Sequence, residues 1–310
     1  MKVFTKNEYS PLKNIIVGSA KQSAWPVDDS AFNKSIEDSN VKGTLTKGPL
    51  PIQIIKEAEE DLEKLVDILE KNKIKVYRPL INEPNWSYSA RDILLSVGNM
   101  IIECPTQYYS RKNEAKFYQH VKESAIKDGC KWITSSFPET DKDPMFDAAN
   151  VCKFNDKLLY LISSTGNRAG AEWLQQQVGT EFEVIMWEGV YASAHIDSTI
   201  ISLNKNTIML NASRVSYTNL PLFLREYKKI WINDIIDKSF YQFPFASKWI
   251  GLNVLSINQE TVIVDSIQKK LIERLKDEKF QVIELELRHA RTLGGGFHCV
   301  TCDLEREKEQ

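Results

Sequence analysis

The stretch Leu293-Gly294-Gly295-Gly296-Phe297-His298-Cys299-Val300-Thr301-Cys302-Asp303 holds the residues best suited to chemistry. Three successive glycines remove every β-carbon, which admits positive φ and lets another group approach the backbone closely. A cysteine directly after such a turn, beside a histidine, can be presented to a pocket as a nucleophile. Other readings of Cys299 exist. Buried free cysteine is a common small core residue. Cys299-x-x-Cys302 could also be half of a zinc site or a redox pair. A zinc site needs about four ligands, and the sequence has no second Cys-x-x-Cys and no His-x-x-x-His. A redox motif would be expected to open a helix near the start of a fold.

Four further segments carry chemistry-bearing residues: Ser89-Ala90-Arg91-Asp92, Pro144 to Asn150 with Asp147, Ala194-His195-Ile196-Asp197-Ser198, and Ala246-Ser247-Lys248-Trp249. Singly, each has a plain reading. Arg91 and Asp92 could form a surface ion pair of little worth. Asp147 could cap a helix. His195 and Asp197 alternate, so on a strand they would share a face. Together they supply a thiol, an imidazole and three carboxylates, and that set suits a guanidinium. Carboxylates such as Asp92 and Asp197 can grip its N–H groups in pairs. Its central carbon is a poor electrophile, so it needs a strong nucleophile, close positioning and an acid for the leaving amine. Cys299 is the expected nucleophile. His195 is the expected acid and base, oriented and kept protonated by Asp147.

The elements that must position these residues recur along the chain. A short apolar run at Asn14–Gly18 reads as a buried strand. A polar stretch with Pro26 follows and reads as loop. Gln53 to Lys71 has helical apolar spacing, and Ile74–Tyr77 then reads as a strand. Strand, helix and strand follow again at 100–104, 113–126 and 131–134. The same order returns at 158–162, 169–177 and 182–186. It returns at 207–210, 222–225 and 229–232, and at 261–264, 266–276 and 280–283. The helix-to-strand junctions near 76, 132, 184, 231 and 282 are about 50 residues apart. Even spacing favours five α/β units closed into a ring over an open sheet. The chemistry-bearing segments fall between units, where a ring would turn them to one centre.

Composition bounds the rest. The chain has 310 residues, 42% hydrophobic and 26% charged, as in an ordinary globular protein. With no linker or low-complexity segment, residues 1–310 are expected to form one domain. A net charge of −2 gives no electrostatic case for nucleic acid. No apolar run approaches the ~18–20 residues of a membrane span. The first residues lack the apolar core of a signal peptide, and five scattered cysteines do not form a disulfide framework. A cytoplasmic location is expected.

Several motifs, in order along nearly the whole chain, resemble the amidinotransferases. They are Asn7-Glu8-Tyr9-Ser10-Pro11-Leu12 with Ile15-Ile16-Val17-Gly18, and Arg91-Asp92-Ile93-Leu94 with Val97-Gly98-Asn99. Phe146-Asp147-Ala148-Ala149, Gly170-Ala171-Glu172-Trp173 and His195-Ile196-Asp197 follow. Ser247-Lys248-Trp249 with Asn253-Val254, and the Gly-Gly-Gly-Phe-His-Cys stretch through Asp303, complete the set. The last is highly specific to that family.

The resemblance implies a five-bladed α/β-propeller (pentein) with pseudo-fivefold repeats. It implies ping-pong transfer of the amidino group of L-arginine to an acceptor amine, through an amidino-cysteine on Cys299, with release of ornithine. Asp147 and His195 match the family's catalytic pair, and Asp92 and Asp197 its guanidinium-binding aspartates. Arg214 matches an arginine that binds the donor carboxylate, and Ser247 one of two adjacent serines that contact the donor. Three positions depart from the glycine-specific enzyme: Ala246 for the first serine, Asn150 for Asp, and Ala194 for the Met before the catalytic His. Ala194 would leave room for an acceptor larger than glycine. No metal or organic cofactor is needed, since thiol, imidazole and carboxylates suffice. The family is often dimeric, which leaves a homodimer open, though no feature of this sequence marks an interface. The alternatives are a deiminase-type hydrolase on the same fold and a non-catalytic arginine binder.

Overall fold

The computed structural model describes residues 1–38, 47–237 and 245–308. Five three-stranded α/β sheets share one plan, in which a middle strand pairs antiparallel on one side and parallel on the other. In the first sheet Leu12–Val17 lies between Thr301–Arg306, antiparallel, and Lys75–Tyr77, parallel. The second holds Leu94–Val97, Met100–Glu103 and Lys131–Thr134. The third holds Val151–Phe154, Lys157–Leu161 and Glu183–Trp187. The fourth holds Ile200–Asn204, Thr207–Asn211 and Lys228–Ile232. The fifth holds Leu255–Ser256, Thr261–Asp265 and Gln281–Leu285.

A parallel pair needs a crossover. Helices Ile52–Lys71, Gln119–Lys127, Arg168–Val178 and Lys269–Asp277 supply four of the five. Asn167 caps the third of these, its side chain accepting the Gly170 N–H at 2.7 Å. The fourth sheet differs from expectation. Its crossover is only a 3-10 turn, Leu222–Leu224, because Pro221 starts the turn and only Leu224 of its three residues is buried. The stretch read as loop after Pro26 contains a helix, Ser30–Asp38, which Asp29 opens by accepting the Phe32 N–H at 3.0 Å.

Packing between sheets follows the period-two alternation of side chains along a strand. Ile15 and Val17 of the first sheet meet Leu255 and Ile263 of the fifth, whereas Ile16 between them meets Leu94 and Ile101 of the second. Leu95 and Val97 then meet Leu158 and Tyr160 of the third. Cys152 and Leu159 meet Ile200 and Ile208 of the fourth, and Ile201 and Met209 meet Val262 and Val264 of the fifth. Each sheet is thus buried on both faces, and the order of packing returns to its start. Among the described residues no helix is long and apolar enough to cross a membrane.

Candidate active site

The nucleophile segment is held from three sides. Its leading helix, Ala290–Leu293, ends on Gly294, whose φ of +78° stops the helix and whose missing β-carbon admits the Phe245 ring. Gly296 has no room either, since a β-carbon there would lie 2.6 Å from Asn253 Cβ. That closeness lets Asn253 Oδ1 accept the Cys299 N–H at 2.8 Å. From the other side the Arg91 N–H donates to Cys299 O at 3.1 Å, and Arg91 Nε to His298 O at 2.8 Å. Upstream, Arg288 bonds to Asp61, buried in helix Ile52–Lys71, and His289 lies 2.8 Å from Glu57.

Cys299 opens onto a cavity of about 530 Å³, lined also by Asp92, Ala194, His195, Asp197 and Ser247. The segments between sheets therefore do converge. His195 and Asp197 lie in an irregular turn rather than on a strand, yet both reach the cavity because the buried Ile196 anchors the turn between them. Asp147 is fully buried behind His195. It occupies a cap position before Ala148–Asn150 but makes no cap bond, and instead lies 3.0 Å from His195 Nε2. Arg91 and Asp92 do not pair with one another. Both are buried, and Arg91 bonds Asp303 at 2.9 Å while Asp92 Oδ2 accepts from Arg111 at 2.5 Å. Asp92 Oδ1 has no hydrogen-bond partner among the described residues and lies 3.7 Å from His195 Nδ1.

Arg214, like Asp147, stands behind the cavity wall rather than on it. Its guanidinium stacks on Tyr191 at 3.5 Å and donates to Ser198 Oγ at 2.8 Å, so it meets the cavity through those two lining residues. Asn150 is buried away from the cavity, bonded to Leu161 O and Ser163 Oγ, both at 2.9 Å. Cys302 faces away from Cys299, its thiol donating to Leu94 O at 3.2 Å in the core between the first and second sheets. Among the described residues no cluster of His, Cys, Asp and Glu is placed to hold a metal ion.

Charge in the cavity is unevenly shared. Burial pulls the His195 imidazole down, but the charge of Asp92 and the bond and charge of Asp147 outweigh it and carry its pKa to about 9. Burial, then the charges of Asp197 and Asp92, push the Cys299 thiol well above its usual value. Burial opposes ionisation of Asp197, yet the His298 bond and charge hold it well below the usual carboxylate range. Burial raises Asp92 against the pull of His195 and Arg111. The arrangement can bind a small planar cation between carboxylates, with a thiol beneath it and a protonated imidazole at its side.

Sequence reasoning missed Arg111, Trp86 and Tyr108, which line the same cavity. Arg111 stacks on Trp86 at 4.8 Å and is bonded to Glu114 at 2.9 Å as well as to Asp92. Nothing in the Tyr108-Tyr109-Ser110-Arg111 run signals this.

No protein-family model matches the chain. An inosamine-phosphate amidinotransferase of Streptomyces glaucescens is 36% identical, covering 98% of this chain and 97% of its own. An L-arginine:L-lysine amidinotransferase of Pseudomonas savastanoi pv. phaseolicola is 27% identical, covering 98% of this chain and 94% of its own. The solved inosamine-phosphate amidinotransferase of Streptomyces griseus superposes with a TM-score of 0.93 at 36% identity, covering 99% of this chain and 97% of that one. The fold is the α/β fold of the amidinotransferase and pentein structures. Among these, the chain belongs to the amidinotransferase family.

Proposed function

We propose that this chain transfers the amidino group of L-arginine to an acceptor amine through a covalent amidino-cysteine on Cys299, releasing ornithine. One observation carries the reading. Cys299, His195, Asp197 and Asp92 line one cavity, with Asp147 behind the imidazole. Asp92 and Asp197 hold the guanidinium. As the cation binds, the thiol gives up its proton to solvent; the sulfur then attacks the central carbon, and that carbon's bond to the arginine Nε breaks as His195 gives that nitrogen a proton. The acceptor amine then attacks the same carbon, His195 takes its proton, and the carbon–sulfur bond breaks to restore the thiolate. An arginine donor is also the donor named for the Pseudomonas relative.

On this reading the five sheets are blades of an α/β propeller with pseudo-fivefold repeats, and residues 1–310 act as one domain. Their cyclic packing supports that arrangement. Ser247 and Arg214 are assigned to the α-amino and carboxylate end of the donor, Arg214 acting there by way of Ser198 and Tyr191. Ala194, on the cavity wall, is assigned to acceptor size. A cytoplasmic setting is expected, with a homodimer left open.

Purified protein incubated with L-arginine and a panel of primary amines tests the reading. The panel includes glycine, L-lysine and an aminocyclitol phosphate. Ornithine together with one guanidinylated amine is the expected result by mass spectrometry. Citrulline formed without any amine would replace the reading with a hydrolase. In Ala194→Met, kcat/KM with glycine should rise relative to larger amines, and an unchanged ratio would remove Ala194 from acceptor selection.

A further inference from the structure

A second histidine touches the cavity's carboxylates. His298 Nδ1 lies 3.1 Å from Asp197 Oδ2, and the Cys299 thiol donates to that same oxygen at 3.1 Å. The other ring nitrogen, Nε2, lies 3.5 Å from Glu8 Oε2. Glu8, His298, Asp197 and Cys299 are all buried. They form a line that starts before the first strand and ends on the sulfur. Nδ1 is bonded to Asp197, and Nε2, which has no hydrogen-bond partner among the described residues, faces Glu8 at ion-pair distance, so two carboxylates flank one ring and favour its cation. Arg91 fixes the backbone beneath the ring through His298 O at 2.8 Å.

We propose that His298, held between Glu8 and Asp197, is a positioning residue for Cys299: it fixes the Asp197 oxygen that the thiol bonds, and sets a cation beside the carboxylates crowding the sulfur. This rests on the reading of Cys299 as the nucleophile. The thiol otherwise faces Asp197 and Asp92, which oppose its ionisation. His298 is the cation bonded to that nearest carboxylate, and Glu8 keeps it charged. Burial and the nearby Arg91 disfavour that charge, while Glu8 and Asp197 favour it strongly enough to raise the imidazole above its usual value. Glu8 is itself brought down to about 2, against burial, by His298, Lys153 and Arg91. Its remaining contacts are the Cys152 thiol at 3.4 Å and the Lys153 N–H at 3.4 Å.

The test is the pH dependence of Cys299 alkylation by iodoacetamide in substrate-free protein, with the labelled peptide identified by mass spectrometry. Wild type is compared with His298→Asn, Glu8→Gln and the double variant. Each single variant should react about tenfold more slowly at a fixed pH below the midpoint, as a one-unit rise in thiol pKa requires. The double variant should be no slower than the slower single variant, because both act along one line. A purely structural role would lower Tm and leave the alkylation midpoint in place. Midpoints equal to wild type in the folded variants would overturn the proposal. Glu8→Gln is isosteric and decides the matter alone if His298→Asn does not fold. Alkylation needs no amidino transfer. A wild-type protein that gains no amidine from arginine would therefore overturn the proposed function while the alkylation midpoints still judged His298.

Discussion

On the proposed mechanism, His195 and Asp147 set the useful pH range. The imidazole titrates near 6.5 when free and near 9 in the folded chain, where Asp92 and Asp147 favour the cation. Its charged form therefore adds stability in full below pH 6.5, and that contribution is lost as pH rises through about 9. The acid role fails over the same interval, so kcat at saturating L-arginine, where the bound cation has already ionised the thiol, should fall on the alkaline side with a midpoint near 9. Asp147→Asn removes one of the charges that hold the proton. Its alkaline limb should move to lower pH, and kcat/KM should drop by about 10²-fold. A pH–rate profile of both proteins checks this, and an unmoved limb would separate Asp147 from the imidazole. The residues assigned to this chemistry could be picked out because they sit in distinctive short motifs. Arg111 was not, since it matters through a contact with Asp92, 19 residues away, that no local pattern encodes.

At the scale of elements, the nucleophile turn is shaped by exclusion. Alanine at position 296 would place its β-carbon 2.6 Å from Asn253 and push that side chain off the Cys299 N–H. Gly296→Ala should cost about 1–3 kcal/mol in overpacking, and activity should fall further than the stability loss explains. Gly129 offers the contrast. It has φ +85° and nothing near its missing β-carbon, so Gly129→Ala should cost roughly 1–2 kcal/mol of backbone strain and leave kcat unchanged. Urea unfolding with turnover on both variants separates the two effects. The helix-to-strand junctions could be read because a parallel crossover forces a helical period to switch to a strand. The antiparallel outer strands escaped notice for a different reason. Thr301–Arg306 carries Asp303 and Arg306, and looks too polar for a buried strand until their pairing at 2.8 Å is known.

For the molecule as a whole, evenness of spacing hinted at a cycle, but the joint that completes it was hidden. Arg306 makes that joint. It bonds Asp303 at 2.8 Å, Ser10 O at 2.6 Å and Ser256 O at 2.7 Å, tying the first sheet to the fifth. Arg306→Met would take from Asp303 one of its two arginine partners and leave two carbonyls unmet, and should destabilise the fold by about 2–5 kcal/mol in urea titration. A loss under 1 kcal/mol would show that the joint does not depend on this charge.

The strand that closes the first sheet, Thr301–Arg306, lies only two residues beyond Cys299 and pairs with Leu12–Val17. During synthesis, then, the sulfur emerges after every other sheet has been translated. The cavity that aims it is finished only when the last of these sheet strands to be made finds the first. Such a long-range closure is slow, and it makes assembly of the reactive centre a late event in the life of the nascent chain. Under the proposed chemistry, a chain translated only as far as the fifth sheet holds no Cys299 to capture arginine.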